Sequence, residues 1–120
     1  PFGKELENSG PVFKSVRNEQ TGDSTFSTAS DIAWTIRDNK YRSRESYRWD
    51  VNDAQPANAR YQGERRNVFT IADTEIDLST QALIESGASY FHVTFTKTLR
   101  KNGSLVREKT WTDRIPRVYQ

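Results

Sequence analysis

The sequence predicts an all-β protein, built as an antiparallel, strongly curved sheet or a partly open barrel or sandwich of about eight strands, with little or no helix. Three observations lead to this fold class. Apolar and polar residues alternate in several segments, turn-forming residues separate these segments, and no segment of convincing length has the helical period of about 3.6 residues. Short alternating strands between turns are typical of sandwiches and barrels.

The beginning of the chain carries the weakest pattern. Residues 1–30 are predicted as a loosely ordered linker or as edge strands, and residues 31–120 as the antiparallel domain. A short strand is expected over Val12–Gln20, followed by a turn at residues 21–24. Because no Met precedes Pro1, we expect the chain to be an excised or processed piece.

Two clear strands follow. The segments Asp31–Arg37 and Tyr41–Val51 alternate with a period of two, as half-buried strands do. In the second segment the Tyr and Trp side chains share one face and the Arg side chains share the other. Rings and guanidinium groups on opposite faces cannot serve one nucleic-acid strand together, so no nucleic-acid partner is predicted.

The middle of the chain continues the strand pattern. Ala57–Glu64 is expected to be a strand of small and polar residues, in which Gly63 indicates a bulge or an edge. The long alternating run Val68–Leu83 is expected to bend near Ala72-Asp73, because long strands twist and curl. A turn at residues 85–88 then leads into the last hairpin.

The clearest element is this hairpin, between residues 90 and 117. Asn102-Gly103 separates two β-prone runs, and this pair favours a type I′ turn because both residues accept positive φ. The resulting register brings apolar residues and opposite charges together. The predicted pairs are Leu99 with Val106, Lys97 with Glu108, and Phe95 with Thr110. One predicted face carries Phe91, Val93, Phe95, Leu99 and Val106, and the other carries His92, Thr94, Thr96, Thr98, Arg107 and Lys109.

The predicted core is rich in aromatic residues, because three Trp, five Tyr and six Phe compensate for a hydrophobic content of 33%. If its strand is central, Phe95→Ala should cost about 3–5 kcal/mol. The predicted core is Ile32, Trp34, Ile36, Tyr47, Trp49, Val68, Ile76, Leu78, Phe91, Val93, Phe95, Leu99 and Val106. Some of these rings could instead line a pocket for a small apolar or amphipathic ligand. The candidate pocket residues are Trp34, Tyr47, Trp49, Phe91 and Phe95.

The chain carries little catalytic chemistry. It has no Cys, which excludes disulfides and thiolate catalysis, and no Gly-x-Ser-x-Gly elbow. His92 is the only histidine and is interpreted as a structural or surface residue. The alternating Asp73, Glu75 and Asp77 could gather oxygen ligands around a cation, but a solvated acidic face is the preferred interpretation. No catalytic, metal-binding or cofactor-binding residue is therefore assigned.

Net charge and hydropathy limit the classes of partner that the sequence predicts. The net charge of +2 arises from Lys and Arg spread along the strands, which favours solubility over nucleic-acid binding. No apolar run is long enough to span a membrane. The cysteine-free composition leaves the compartment open, with the cytoplasm favoured.

Several segments resemble one enzyme family. They are Phe91–Val93, Leu99–Gly103 and Arg107–Arg117 near the end, together with Glu45–Val51 and Gln55–Arg60 farther back. These segments are similar to the C-terminal end of CocE/NonD hydrolases of the peptidase S15 family, which are X-Pro dipeptidyl-peptidase-like. Chains of that family commonly close on a Trp, an acidic residue and Ile-Pro-Arg.

The resemblance covers Asp31–Arg117 and includes one altered motif. Where the family usually has Asp-Pro-Leu-Ser-Ala, this chain has Gln55 for the Asp, Ala57 for the Leu and Asn58 for the Ser. The catalytic Ser, Asp and His of the family lie in an upstream α/β-hydrolase domain, and none maps onto this chain.

The resemblance implies a non-catalytic C-terminal structural or interaction domain of a larger serine hydrolase that acts on esters, amides or X-Pro peptides. The alternative is a stand-alone barrel-like module that binds a small apolar or amphipathic ligand. Expected partners are the upstream hydrolase domain of the same polypeptide or further copies of the chain. No cofactor is expected.

Overall fold

A computed structural model describes residues 4–118, and within that range the side chains of residue 8 and residues 10–118. These residues form seven strands in a single sheet, in chain order and each antiparallel to the next. The all-β antiparallel prediction is confirmed, with seven strands rather than about eight and with no helix in the described range. The strands are β1 (Lys4–Asn18), β2 (Asp23–Ile36), β3 (Asn39–Asn52), β4 (Arg60–Ile71), β5 (Thr74–Ser86), β6 (Tyr90–Lys101) and β7 (Ser104–Pro116).

The sheet is a single open layer. Strands β1 and β7 are its edges and, over residues 4–118, do not pair with each other. The radius of gyration is 18.3 Å, whereas a compact domain of this length has about 13.6 Å. Residues 4–118 contain no helix with the length and apolar character that crossing a membrane requires.

Two-residue turns connect β2 to β3, β4 to β5 and β6 to β7. Asn102 and Gly103 have φ values of 49° and 81°, so the predicted Asn-Gly turn is confirmed. Ala72 has a φ of 54° and lies in a turn with Asp73. The prediction of one long bent strand over Val68–Leu83 is therefore wrong, because β4 and β5 form a hairpin there. Alternation continues on both sides of such a short turn, so the pattern alone did not reveal the reversal.

A β-bulge in the last hairpin also changes the predicted register. Next to the turn, Arg100 pairs with Leu105. The next pair away from the turn is Leu99 with Arg107, so Val106 is the extra residue of β7. The three predicted pairs are therefore wrong. The observed pairs are Leu99 with Arg107, Lys97 with Lys109, and Phe95 with Trp111.

The bulge has a physical reason in ring packing. It sets Trp111 opposite Phe95, with ring centroids 5.7 Å apart. Without the shift, Trp111 would have pointed to the other side of the sheet, because side chains alternate along a strand. Contact between the two rings replaces the opposite-charge pairs of the predicted register. Arg107 and Lys109 consequently lie on the same face as Phe95, and not on the opposite face as predicted.

Strand alternation gives the sheet two different faces. One face, named here the aromatic face, carries most of the rings and large aliphatic side chains, and the other, the polar face, carries most of the charges. The aromatic face contains Phe13, Phe26, Trp34, Tyr41, Tyr47, Trp49, Tyr61, Phe69, Ile76, Leu78, Phe91, Val93, Phe95, Leu99, Trp111 and Ile115.

The predicted core is not buried. Its members lie on the aromatic face apart from Val68, which pairs with Asp77 on the polar face, and Val106, the extra residue of the bulge. No hydrophobic side chain in the described range is buried, and Trp49 and Leu78 are 39% and 43% exposed. The reason is architectural: one layer cannot enclose its own apolar face, which needs a second layer.

Candidate functional site

The aromatic face is the candidate functional site because it leaves large apolar side chains in contact with solvent. Phe13 is 63% exposed, Phe26 44% and Trp111 41%. A contiguous exposed apolar surface of this kind marks an interaction site on a soluble protein.

The strongest concentration of rings spans strands β1 to β4. We name Phe13, Phe26, Tyr47, Trp49 and Tyr61 the aromatic cluster. The ring centroids are 6.5 Å apart for Phe13 and Phe26, 5.5 Å for Phe26 and Trp49, and 5.3 Å for Trp49 and Tyr61. These separations are those of interacting aromatic pairs, so the cluster forms a continuous platform across four strands.

Gly63 makes room for two rings of this cluster. It pairs with Tyr47 and Ala82 in regular register within a central strand, so the predicted bulge or edge at this position is wrong. A Cβ atom at position 63 would lie 2.6 Å from the Tyr61 hydroxyl and 3.2 Å from Cδ1 of Tyr47. The glycine therefore reflects the close approach of the rings above it.

The candidate pocket residues all lie on the aromatic face but do not converge. Tyr47 and Trp49 belong to the aromatic cluster, with centroids 6.3 Å apart, whereas Trp34 stacks on Tyr41 at 5.6 Å. Phe95 contacts Trp111, and Phe91 lies 5.2 Å below the Arg117 guanidinium carbon. The five rings therefore occupy four separate places on one broad surface, because only Tyr47 and Trp49 contact each other.

A group of positive charges lies at the β6–β7 side of the aromatic face. We name Lys97, Arg107 and Lys109 the cationic corner. Among the described residues no carboxylate lies within ion-pair distance of any of the three. The Lys109 amine lies 4.9 Å from the Trp111 ring centroid, and the Lys97 amine lies 6.0 Å from that of Phe95. The corner thus combines unneutralised charge with apolar rings.

These cations border a depression of about 580 Å³. Leu78, Leu99 and Trp111 provide its apolar surface, and Arg65 lies on its far side. Arg65 is already paired, because its Nε atom is 3.3 Å from a Glu45 carboxylate oxygen. The depression therefore presents both apolar surface and the free positive charge of the cationic corner.

The polar face differs because carboxylates bind four of its arginines, which are Arg42, Arg44, Arg48 and Arg66. Arg42 donates to Asp31 through Nε at 3.0 Å and Nη2 at 2.7 Å, and Arg44 donates through Nε at 3.2 Å. The hydrogen bonds from Arg42 hold the pKa of Asp31 below its usual value, and the positive charges of both arginines add to this effect. The pKa of Asp50 is lowered in the same way, chiefly by the hydrogen bonds from Arg48.

Asp77 is the one buried polar or charged residue in the described range, at 8% exposure. Arg66 donates to it through Nε at 3.0 and 3.1 Å and through Nη2 at 2.6 Å. These hydrogen bonds raise the pKa of Arg66 above its usual value. The carboxylate is therefore used in a structural ion pair.

The remaining polar candidates do not form a centre. No group of three or more His, Asp or Glu side chains that could hold a metal ion occurs in the described part of the chain. His92 is exposed on β6, where Glu85 and Arg114 are its cross-strand neighbours. Asp73 lies in the β4–β5 turn.

Arg117 fastens the loop between β3 and β4, a role that the sequence did not predict. Its Nη1 atom donates to the carbonyl oxygen of Ala57 at 3.0 Å and to that of Gly87 at 2.7 Å. Ser86 supports the same loop, because its hydroxyl donates to Ala57 and accepts from the Ala59 amide. Hydrogen bonds from a side chain to distant backbone carbonyls do not depend on which residues carry those carbonyls, so no sequence pattern predicts them. The Ile-Pro-Arg segment was the only sequence feature that drew attention to Arg117.

No protein-family model, curated protein or solved structure matches this chain. The relationship to CocE/NonD hydrolases therefore stays a prediction based on the segments quoted above. The two faces of the sheet and their chemistry are the features from which function can be inferred.

Proposed function

We propose that this chain is a non-catalytic structural or interaction module whose aromatic face packs against a second layer of protein. In this proposal the second layer belongs to a larger serine hydrolase of the α/β-hydrolase type, which acts on esters, amides or X-Pro peptides. The observation that carries the proposal is that no hydrophobic side chain among residues 10–118 is buried.

The surface area supports the same conclusion. The accessible surface is 8958 Å², whereas a compact monomer of this mass has about 6,700 Å². The excess of about 2,300 Å² exceeds the roughly 800 Å² that each partner contributes to an interface of standard size. A covering layer would remove much of this surface from water and supply the missing core.

The identity of the layer rests on the resemblance, to which the fold adds one observation. The two parts of the chain that resemble the family meet in space, because Arg117 of the terminal segment bonds to Ala57 of the altered motif. The hydrolase assignment itself depends on residues outside this chain.

The reading frame that encodes the chain provides the test. We expect it to encode an upstream segment with a Gly-x-Ser-x-Gly elbow. That segment should hydrolyse p-nitrophenyl esters or X-Pro amides, while this chain alone should not. In the joined protein the Trp residues of the aromatic face should be protected from acrylamide quenching, in contrast to the isolated chain.

Three results would contradict the proposal. A reading frame without hydrolase sequence would remove the hydrolase assignment. Equal acrylamide quenching in the joined protein and the isolated chain would show that the aromatic face remains uncovered. Hydrolysis by the isolated chain that survives His92→Ala and follows the protein through purification would overturn its non-catalytic role.

The alternative function, binding of a small apolar or amphipathic ligand, has less support from the geometry. A pocket for one small molecule would need converging rings, and among the candidate rings only Tyr47 and Trp49 contact each other. Saturable quenching of Trp emission by a hydrophobic dye, lost in Trp49→Ala without unfolding, would favour this alternative.

A further inference from the structure

The cationic corner specifies the chemistry of the covering layer. Lys97 and Lys109 are direct cross-strand partners, and Arg107 is the next residue along the same face of β7. Like charges in this position destabilise a sheet. The contacts of the amines with the rings of Phe95 and Trp111 offset part of this repulsion but neutralise no charge.

The rest of the aromatic face cannot supply the missing negative charge. Among the described side chains of its strands, the carboxylates on this face are Glu45 and Asp113. Glu45 is bound to Arg65, which leaves Asp113 alone against the charges of the corner. A second copy stacked face to face would therefore bring more positive than negative charge to the contact.

We propose that the surface covering the β6–β7 side of the aromatic face is an acidic polypeptide surface, whose Asp or Glu side chains bind Lys97, Arg107 and Lys109. This inference rests on the proposed function and deepens it by naming the partner's chemistry. Leu78, Leu99 and Trp111 in the adjacent depression receive apolar side chains of the same surface. The partner therefore presents apolar residues bordered by carboxylates, which is the complement of what this corner presents.

The test uses the full chain and a set of amphipathic peptides that share one leucine face. Their polar residues are Glu in the first peptide, Gln in the second and Lys in the third. Fluorescence anisotropy of each labelled peptide, titrated with the chain, gives the affinities. We expect the Glu peptide to bind at least about tenfold more tightly than the Gln peptide, with the Lys peptide weakest, and we expect added salt to reduce the difference.

Substitutions locate the effect at the corner. Lys97→Glu replaces a repulsive pair by an attractive one, so this variant should remain folded while the corner loses two units of charge. The preference for the Glu peptide should fall by about tenfold. Lys14→Glu makes the same change in charge on the polar face of β1 and should leave the preference within about twofold.

The outcomes separate this inference from the proposed function. Equal binding of the Glu and Gln peptides, or a preference that survives Lys97→Glu, would overturn the acidic partner while leaving an apolar interaction face intact. Binding of none of the peptides would contradict both proposals. Binding of dodecanoate or of vesicles containing phosphatidylglycerol, without binding of the Glu peptide, would overturn a polypeptide partner in favour of an anionic small molecule or membrane.

Discussion

Lys97 lies directly opposite Lys109 on the aromatic face, in the strand pair that also sets Phe95 opposite Trp111. One register shift at Val106 produces both relationships. The bulge brings two rings together and, by the same geometry, two positive charges. Ring packing and local charge pairing thus favour different registers, and the fold adopts the one that favours the rings.

Lys97→Glu should stabilise the chain. The substitution places a carboxylate opposite the Lys109 amine, and an opposite-charge cross-strand pair contributes about 0.2–1 kcal/mol. The free energy of unfolding, measured with urea in low salt, should rise, and the gain should shrink at high salt. Lys14→Glu is the control and should have no comparable effect. A lower stability for Lys97→Glu would contradict the observed register.

Phe95 and Trp111 should be energetically coupled. Phe95 is half-buried rather than enclosed, so Phe95→Ala should cost about 1–2 kcal/mol, less than a core phenylalanine. A double-mutant cycle with Trp111→Ala should give a coupling energy of about 0.5–1.5 kcal/mol. Phe95 and Trp34 make no ring contact and should be additive within about 0.5 kcal/mol. Coupling near zero between Phe95 and Trp111 would argue for the unshifted hairpin.

Because of the ion pairs on the polar face, the free energy of unfolding should decrease as the pH falls. The pKa of Asp31 is lowered in the folded chain, so as the pH falls the unfolded chain binds the proton first. The stability that Asp31 contributes is present above its unfolded pKa of about 3.9 and is lost as the pH falls through the lower folded pKa.

Unfolding midpoints measured between neutral pH and about pH 3 should therefore fall in acid, and Asp31→Asn should reduce this fall. An identical pH dependence in Asp31→Asn and the unsubstituted chain would show that the Arg42 pair does not stabilise the fold.

Arg117→Ala should loosen the loop between β3 and β4. The change removes hydrogen bonds from a charged donor to Ala57 and Gly87, and the expected loss is about 1–3 kcal/mol. Hydrogen exchange at the Ala59 amide and proteolysis within residues 53–59 should both accelerate. Arg117→Lys, which lacks the planar guanidinium group, should be intermediate. Unchanged exchange at Ala59 in Arg117→Ala would show that Ser86 alone holds the loop.

Sequence patterns spanning a few residues predicted the strands and turns that form through interactions between neighbouring residues. Alternation in Tyr41–Val51 identified β3, because half-burial imposes a period of two wherever a strand has one apolar face. Asn102-Gly103 identified its turn, since few residues accept positive φ. Ala72 carries no such signal, so the reversal between β4 and β5 was not visible in the pattern.

The candidate site was less predictable. Alternation predicted that Tyr47 and Trp49 share a face of one strand and that Phe91 and Phe95 share a face of another. Their positions relative to each other and to Trp34 depend on strand order and register. The positions of Arg107 and Lys109 depended on a one-residue bulge, and a bulge is decided by contacts between strands rather than within one. Arg117 bonds to backbone carbonyls, which are the same at every position of the chain.

The sequence alone determined that this chain forms antiparallel strands with an aromatic side and a charged side, because alternation, turn chemistry and β propensity act over a few residues. Tertiary structure decided that the strands form one open layer, that Lys97 faces Lys109, and that the rings remain exposed. Those outcomes depend on which strands meet and on whether a second layer covers them. Such contacts lie between strands or between layers, and no pattern within a single strand encodes them.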